Sequence, residues 1–335
     1  MASRRTSPAL VRHVAISVFQ DGACRGCRVL DMAQDYHPVI KELAWRTVAG
    51  NPEAAGRPFD VNVCPSAPGA PRGIVVQAID AQRLRAAPLG EVFVPTDAFA
   101  RLAAEAAQQL NVQGRFRWSV SVLPPGHALV ERWRRHLDAD DDFEVTSHQP
   151  ARLVLPRDFV RDPPAEPSAP DDCAAWLRCC FPAPVYEDFL VAASRETQVE
   201  RGWLACGRVH LCAGAVRVVI DELVEPPVAA AGSAYLLTTG RDFLALHRSL
   251  RDRLVGYAHV HPAQALNQPI TQPMTPAPSI NDEILAFNLD RTTTAPCVLP
   301  IGFYGTAALA QPFPVAVWAY SAGRLSRIPM EVCNA

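Results

Sequence analysis

Arg253-Leu-Val-Gly-Tyr-Ala-His259-Val-His261-Pro262 is the stretch on which the reading of this chain turns. Its short apolar run, closed by proline, predicts a strand that enters a loop. Residues two apart on a strand point to one face, so His259 and His261 are placed to grip a single ion together. Farther on, Ser279-Ile-Asn-Asp282 stands just before Ile284 and Phe287 at helical spacing. That is the pattern of an N-terminal capping box, and it would present Asp282 from the first turn of a helix. Two imidazoles and a carboxylate, with a fourth position left for water, make the donor set of a hydrolytic zinc site.

The surrounding order of elements supports that reading. Upstream, Glu200-Arg-Gly-Trp-Leu-Ala-Cys-Gly207 leads from a glutamate through apolar residues to a glycine. Val216-Arg-Val-Val-Ile-Asp-Glu-Leu-Val224 predicts a second strand, and Phe243 to Leu250 a helix, before the His-x-His strand. Glutamate, strand, helix, His-x-His-Pro and Ser-x-x-Asp in this order resemble the JAMM/MPN+ zinc metalloprotease family (bacterial JAB type), over residues 180 to 335 only. The resemblance implies an MPN/JAB-type mixed sheet with flanking helices, a cytidine-deaminase-like sandwich. It implies one Zn2+ held by His259, His261 and Asp282 with water as fourth ligand. Glu200 would be the general base, and Ser279 would hydrogen-bond the oxyanion.

The activity so implied is cleavage after the C-terminal tail of a ubiquitin-like protein, in a bacterial pathway with ubiquitin-activating-like and ubiquitin-conjugating-like enzymes. One departure from the family is a longer loop between the second histidine and the aspartate, from Pro262 to Asn281, with Pro269, Pro273, Pro276 and Pro278. Loop closure entropy grows only logarithmically with length, so the insertion is tolerable and is expected to form a substrate-facing flap. Two other readings stay open. The chain would be an inactive MPN scaffold if that loop misplaces Asp282. It would be a metal-dependent amidohydrolase if its substrate is a small amide or a sulfur-carrier protein.

The first half reads as a separate α/β domain over residues 1–150. His13 to Phe19, Phe59 to Val63, Gly73 to Ala78 and Arg115 to Val122 have strand composition, several with period-two alternation. Thr96 to Asn111 predicts a helix with Phe99, Leu102, Ala103, Ala106 and Leu110 along one stripe. A short helix over Glu131 to Leu137 runs into the acidic stretch Asp138 to Asp142. No nucleotide-binding loop or catalytic serine motif occurs here, and a recognition or docking role is the expectation. Residues 151–178 form a linker, with Pro163, Pro164, Pro167 and Pro170, and the metalloprotease domain spans 179–335. Within it, Tyr186 to Arg195 predicts a helix, and Leu325 to Val332 a final strand.

At 335 residues the chain is long enough for two cored domains. A formal net charge of −2 gives no electrostatic case for nucleic acid or an anionic membrane. No apolar run reaches the length of a membrane span, and the N-terminal stretch lacks the apolar core of a secretory signal, so a cytoplasmic location is expected. Ten cysteines in such a chain read as reduced thiols. Cys24-Arg-Gly-Cys27 would need further partners to hold a structural zinc, whereas Cys179, Cys180, Cys206 and Cys212 read as small core side chains. Lys41 is the single lysine among 32 lysine-plus-arginine residues, which suits a genome rich in G and C.

Overall fold

The computed structural model describes residues 12–31, 34–82, 87–124, 126–132, 153–161, 175–194, 200–212, 214–226, 228–232, 235–238, 240–250, 252–261, 277–303 and 315–333. The chain divides into two compact units, residues 1–157 with 322–324, and residues 158–321 with 325–335. The fold is mixed α/β with several sheets, as the sequence implies at that level.

In the first unit, β1 (His13–Gln20) and β2 (Ala23–Val29) form an antiparallel hairpin. Asp21 and Gly22 turn it with φ of 52° and 78°, the conformation that an Asp-Gly pair favours in two-residue hairpin loops. After α1 (His37–Gly50) come β3 (Pro58–Pro65), β4 (Gly73–Asp80), β5 (Gly90–Pro95), α2 (Ala100–Gln109), β6 (Arg117–Leu123) and β7 (Leu153–Val154). They make two sheets, ordered β2-β1-β6 and β5-β4-β3-β7. Strand β4 shows why its residues choose this state, since alternate positions Ile74, Val76 and Ala78 are buried while their neighbours are not. The helix expected over 96–111 begins as a 3₁₀ turn at Thr96–Phe99 and continues as α2, with Leu102, Ala103 and Ala106 buried on the expected stripe. Helix α1, with Leu43, Trp45 and Val48 in the core, carries no period that the sequence reading picked out. The acidic stretch 138–142 and linker residues 162–172 lie outside the described residues.

The remaining elements build the sheet that carries the site. They are β8 (Val160–Arg161), β9 (Leu177–Pro182), α3 (Ala183–Ser194), β10 (Arg201–Cys212), β11 (Ala215–Val224), β12 (Val228–Gly232), β13 (Tyr235–Thr238), α4 (Gly240–Ser249), β14 (Leu254–His261), α5 (Ile280–Thr292), β15 (Val298–Phe303), β16 (Val315–Ser321), β17 (Arg324–Ile328) and β18 (Met330–Cys333). A nine-stranded sheet runs β17-β16-β15-β14-β10-β11-β9-β18, with β8 pairing the far half of β10. β14 is central, antiparallel to β10 and parallel to β15. Seven of its eight residues are buried, as befits a strand covered on both faces.

Ala286 and Leu289 of α5 pack with Leu204, Tyr257 and Ile301 on one face. Phe189 of α3 packs with Trp203, Ala258 and Val260 on the other. Gly256 permits the close approach to β15, because a Cβ there would lie 1.9 Å from the Val298 carbonyl oxygen.

Two expectations are corrected. The single final strand expected over Leu325 to Val332 is broken at Pro329 into β17 and β18, which sit at opposite ends of the sheet order. Proline offers no N–H to a ladder, and its carbonyl instead accepts from the Cys179 N–H at 3.0 Å. The thiols are not all reduced, because Cys180 and Cys333 form a disulfide joining β9 to β18. Parallel pairing of these strands brings the two Cα atoms to 6.4 Å, within disulfide reach. Cys179 and Cys206 are buried free thiols, as expected of small core side chains. Among the described residues, no helix is long and apolar enough to cross a membrane.

Candidate metal centre

His259 and His261 close β14, and strand periodicity turns both rings to one face. Asp282 arrives from the first turn of α5, held by the reciprocal contacts that its sequence implied. The Ser279 backbone N–H donates to Asp282 Oδ2 at 2.6 Å, and Ser279 Oγ accepts from the Asp282 N–H at 3.3 Å. The cap therefore fixes both the start of the helix and the direction of the carboxylate. Glu200 comes from the residue preceding β10. Pairing of Gly202 with His259 across the β10–β14 ladder carries it to the same place.

The four side chains converge. His259 Nε2 and His261 Nε2 lie 2.9 Å apart, His259 Nε2 is 3.0 Å from Asp282 Oδ1, and His261 Nε2 is 3.5 Å from Asp282 Oδ2. One donor atom from each of Glu200, His259, His261 and Asp282 lies within 4.8 Å of the rest. A tetrahedral ion with ligands about 2.05 Å away requires ligand-to-ligand edges of about 3.3 Å. The three shorter separations bracket that value, so the residues present fit a small four-coordinate cation. His259 is fully buried and Asp282 nearly so, whereas His261 is partly exposed.

The carboxylates differ in the way a ligand and a base must differ. Burial alone would raise the Asp282 pKa. Hydrogen bonds from His259 and His261, helped by the His259 charge and the Ser279 N–H, more than reverse this and hold it far below the usual range. Asp282 thus stays an anion, as a metal ligand needs. Glu200 is shifted upward, chiefly by burial and secondarily by the Asp282 charge, against the opposing pull of the two imidazoles. A carboxylate with a raised pKa beside a metal-binding cluster has the character of a proton acceptor. Burial, reinforced by the Glu200 and Asp282 charges, also pushes the Tyr257 phenol well above its ordinary value.

All five residues singled out from sequence meet here: Glu200, His259, His261 and Asp282 in the cluster, and Ser279 as the exposed cap that holds Asp282. Residues 262–276 of the long loop lie outside the described residues. Tyr257, not singled out from sequence, shares the strand face of His259 because it stands two residues before it. Cys24 and Cys27 are exposed, and no further ligand joins them in a cluster among the described residues.

The sequence matches no family model and no curated protein. Among solved structures it is similar to the solution structure of protein DSY2949 from Desulfitobacterium hafniense. That similarity has 16% sequence identity, a TM-score of 0.33, and covers 47% of this chain and 94% of the other.

Proposed function

We propose that the second unit is a zinc-dependent peptidase of the JAMM/MPN+ type, acting after the C-terminal tail of a ubiquitin-like protein. The observation that carries this is the convergence of His259, His261 and Asp282 at tetrahedral-edge separations with Glu200 beside them. His259, His261 and Asp282 hold the ion. Zinc, when bound, supplies a Lewis acid and makes a water acidic enough to ionise near neutral pH.

Glu200, half-buried and raised in pKa, accepts the proton of the attacking water and returns it to the departing amine. The Ser279 hydroxyl spends one lone pair on the Asp282 N–H and retains its own proton to donate to the oxygen that gains charge. The buried side of the cluster, under α5 and against β10, keeps bulk water from competing for these contacts. The first unit is read as the recognition domain for the substrate or for its activating and conjugating enzymes, in a bacterial pathway.

The test is hydrolysis of a ubiquitin-like protein carrying a fluorogenic C-terminal amide, compared with small fluorogenic amides. Cleavage of the protein substrate that stops with a chelator and returns with zinc is expected. Cleavage of small amides alone would move the reading to an amidohydrolase. Zinc binding without turnover on either substrate would leave an MPN scaffold.

A further inference from the structure

Tyr257 stands two residues before His259 on the same face of β14, with His261 two residues beyond. Across the ladder, Leu204 pairs with Tyr257 and Gly202 with His259. The tyrosine leans along the sheet into the slot left by Gly202, where a Cβ would meet the hydroxyl oxygen at 1.9 Å and Cζ at 2.4 Å. Its hydroxyl thus lies beside Gly202, the residue opposite His259 and two positions after Glu200. The ring centroid is 5.6 Å from that of His259. The residue is only 7% exposed, packed with Leu204, Ala286, Leu289 and Ile301. A hydroxyl held by such packing can donate to a substrate atom without reorganising, which is how preorganised donors stabilise developing charge.

We propose that Tyr257 is a second catalytic hydrogen-bond donor, directed at the substrate carbonyl oxygen as negative charge gathers on it; this rests on the peptidase reading above. Ser279 then does not act alone, its oxygen being already engaged in capping α5. Gly202 has a defined part, since it is the residue that leaves the phenol room to reach the cluster. The interaction forms as the carbonyl becomes an oxyanion, so it belongs to the transition state more than to the bound substrate.

The experiment compares wild type with Tyr257→Phe on the fluorogenic ubiquitin-like substrate, with zinc content and the melting temperature of the metal-free protein measured alongside. The expected result is a kcat lower by about 10²- to 10³-fold, the scale of a lost oxyanion donor, with KM within about twofold. Zinc content should be unchanged. The melting temperature should hold, because phenylalanine fills the same space. An unchanged kcat overturns the proposal. So does a kcat loss that merely tracks lost zinc or a lowered melting temperature, which would make Tyr257 a packing residue. A wild type inert on every amide overturns the peptidase reading itself, and this inference with it.

Discussion

Ser279 is assigned two tasks that ordinary mutagenesis would confuse, and the geometry of its cap separates them. Its oxygen accepts from the Asp282 N–H at 3.3 Å and belongs to a reciprocal pair with the 2.6 Å contact from its own N–H to Asp282 Oδ2. Ser279→Ala removes only the first contact. Losing an N-cap oxygen costs about 1 kcal/mol, while glycine at an N-cap costs only a few tenths. For a unit of this size, about 1 kcal/mol lowers the melting temperature by about 2–4 °C. Ser279 has φ −80° and ψ 172°, a conformation open to either replacement.

Ser279→Ala should therefore melt about 2–4 °C below wild type and Ser279→Gly within about 1 °C of it, by calorimetry on the metal-free protein. Both variants lack the hydroxyl proton. If that proton reaches the oxyanion, kcat should fall equally in the two, by about tenfold or more, whatever their stability. A glycine variant with wild-type kcat would refute the catalytic half of the assignment. Equal melting temperatures for alanine and wild type would refute the capping half.

Other consequences follow from the same geometry. Glu200→Gln should keep its zinc but lose about 10²–10⁴-fold in turnover, since an amide of the same shape cannot take a proton; unchanged turnover at saturating zinc would make Glu200 structural. Glu42 in α1 is 1% exposed, and burial raises its pKa to about 7 despite Arg46 at 2.8 Å and the Ala322 N–H. Its folded pKa stands above the ordinary carboxylate value, so the folded state holds the extra proton. The fold is most stable below that ordinary value and loses up to about 3 kcal/mol as pH rises through about 7. Denaturant titrations of wild type and Glu42→Gln between pH 4 and 8 should show the decline flattened in the variant; parallel curves would exclude Glu42 as its source.

The candidate metal site was more legible in the sequence than the fold that holds it, for a physical reason. His259 and His261 are related by strand periodicity, and Ser279 and Asp282 by a cap spanning three residues. Both are local relations that survive in the linear text. Glu200 reaches the site only because Gly202 pairs with His259, a non-local register that no spacing encodes. In the reading it depended on family resemblance. The break at Pro329 was visible as a residue type, but not the divergence of the two strands beside it to opposite ends of the sheet. The Cys180–Cys333 disulfide joins residues 153 positions apart and follows from strand order alone. α1 went unread because ten of its fourteen residues are buried, which blurs the amphipathic period by which helices are recognised.

The most direct test of the metal centre is the zinc content of the purified chain and of His261→Ala, measured by elemental analysis after equilibrium dialysis. His261 is partly exposed, 2.9 Å from His259 Nε2 and 3.5 Å from Asp282 Oδ2, so its removal should open the donor set with little loss of core packing. About one zinc per wild-type chain, and most of it lost in the variant with the first unit still folded, is the expected result. Wild-type zinc content in His261→Ala, or no zinc in the wild type at saturating concentration, would contradict it.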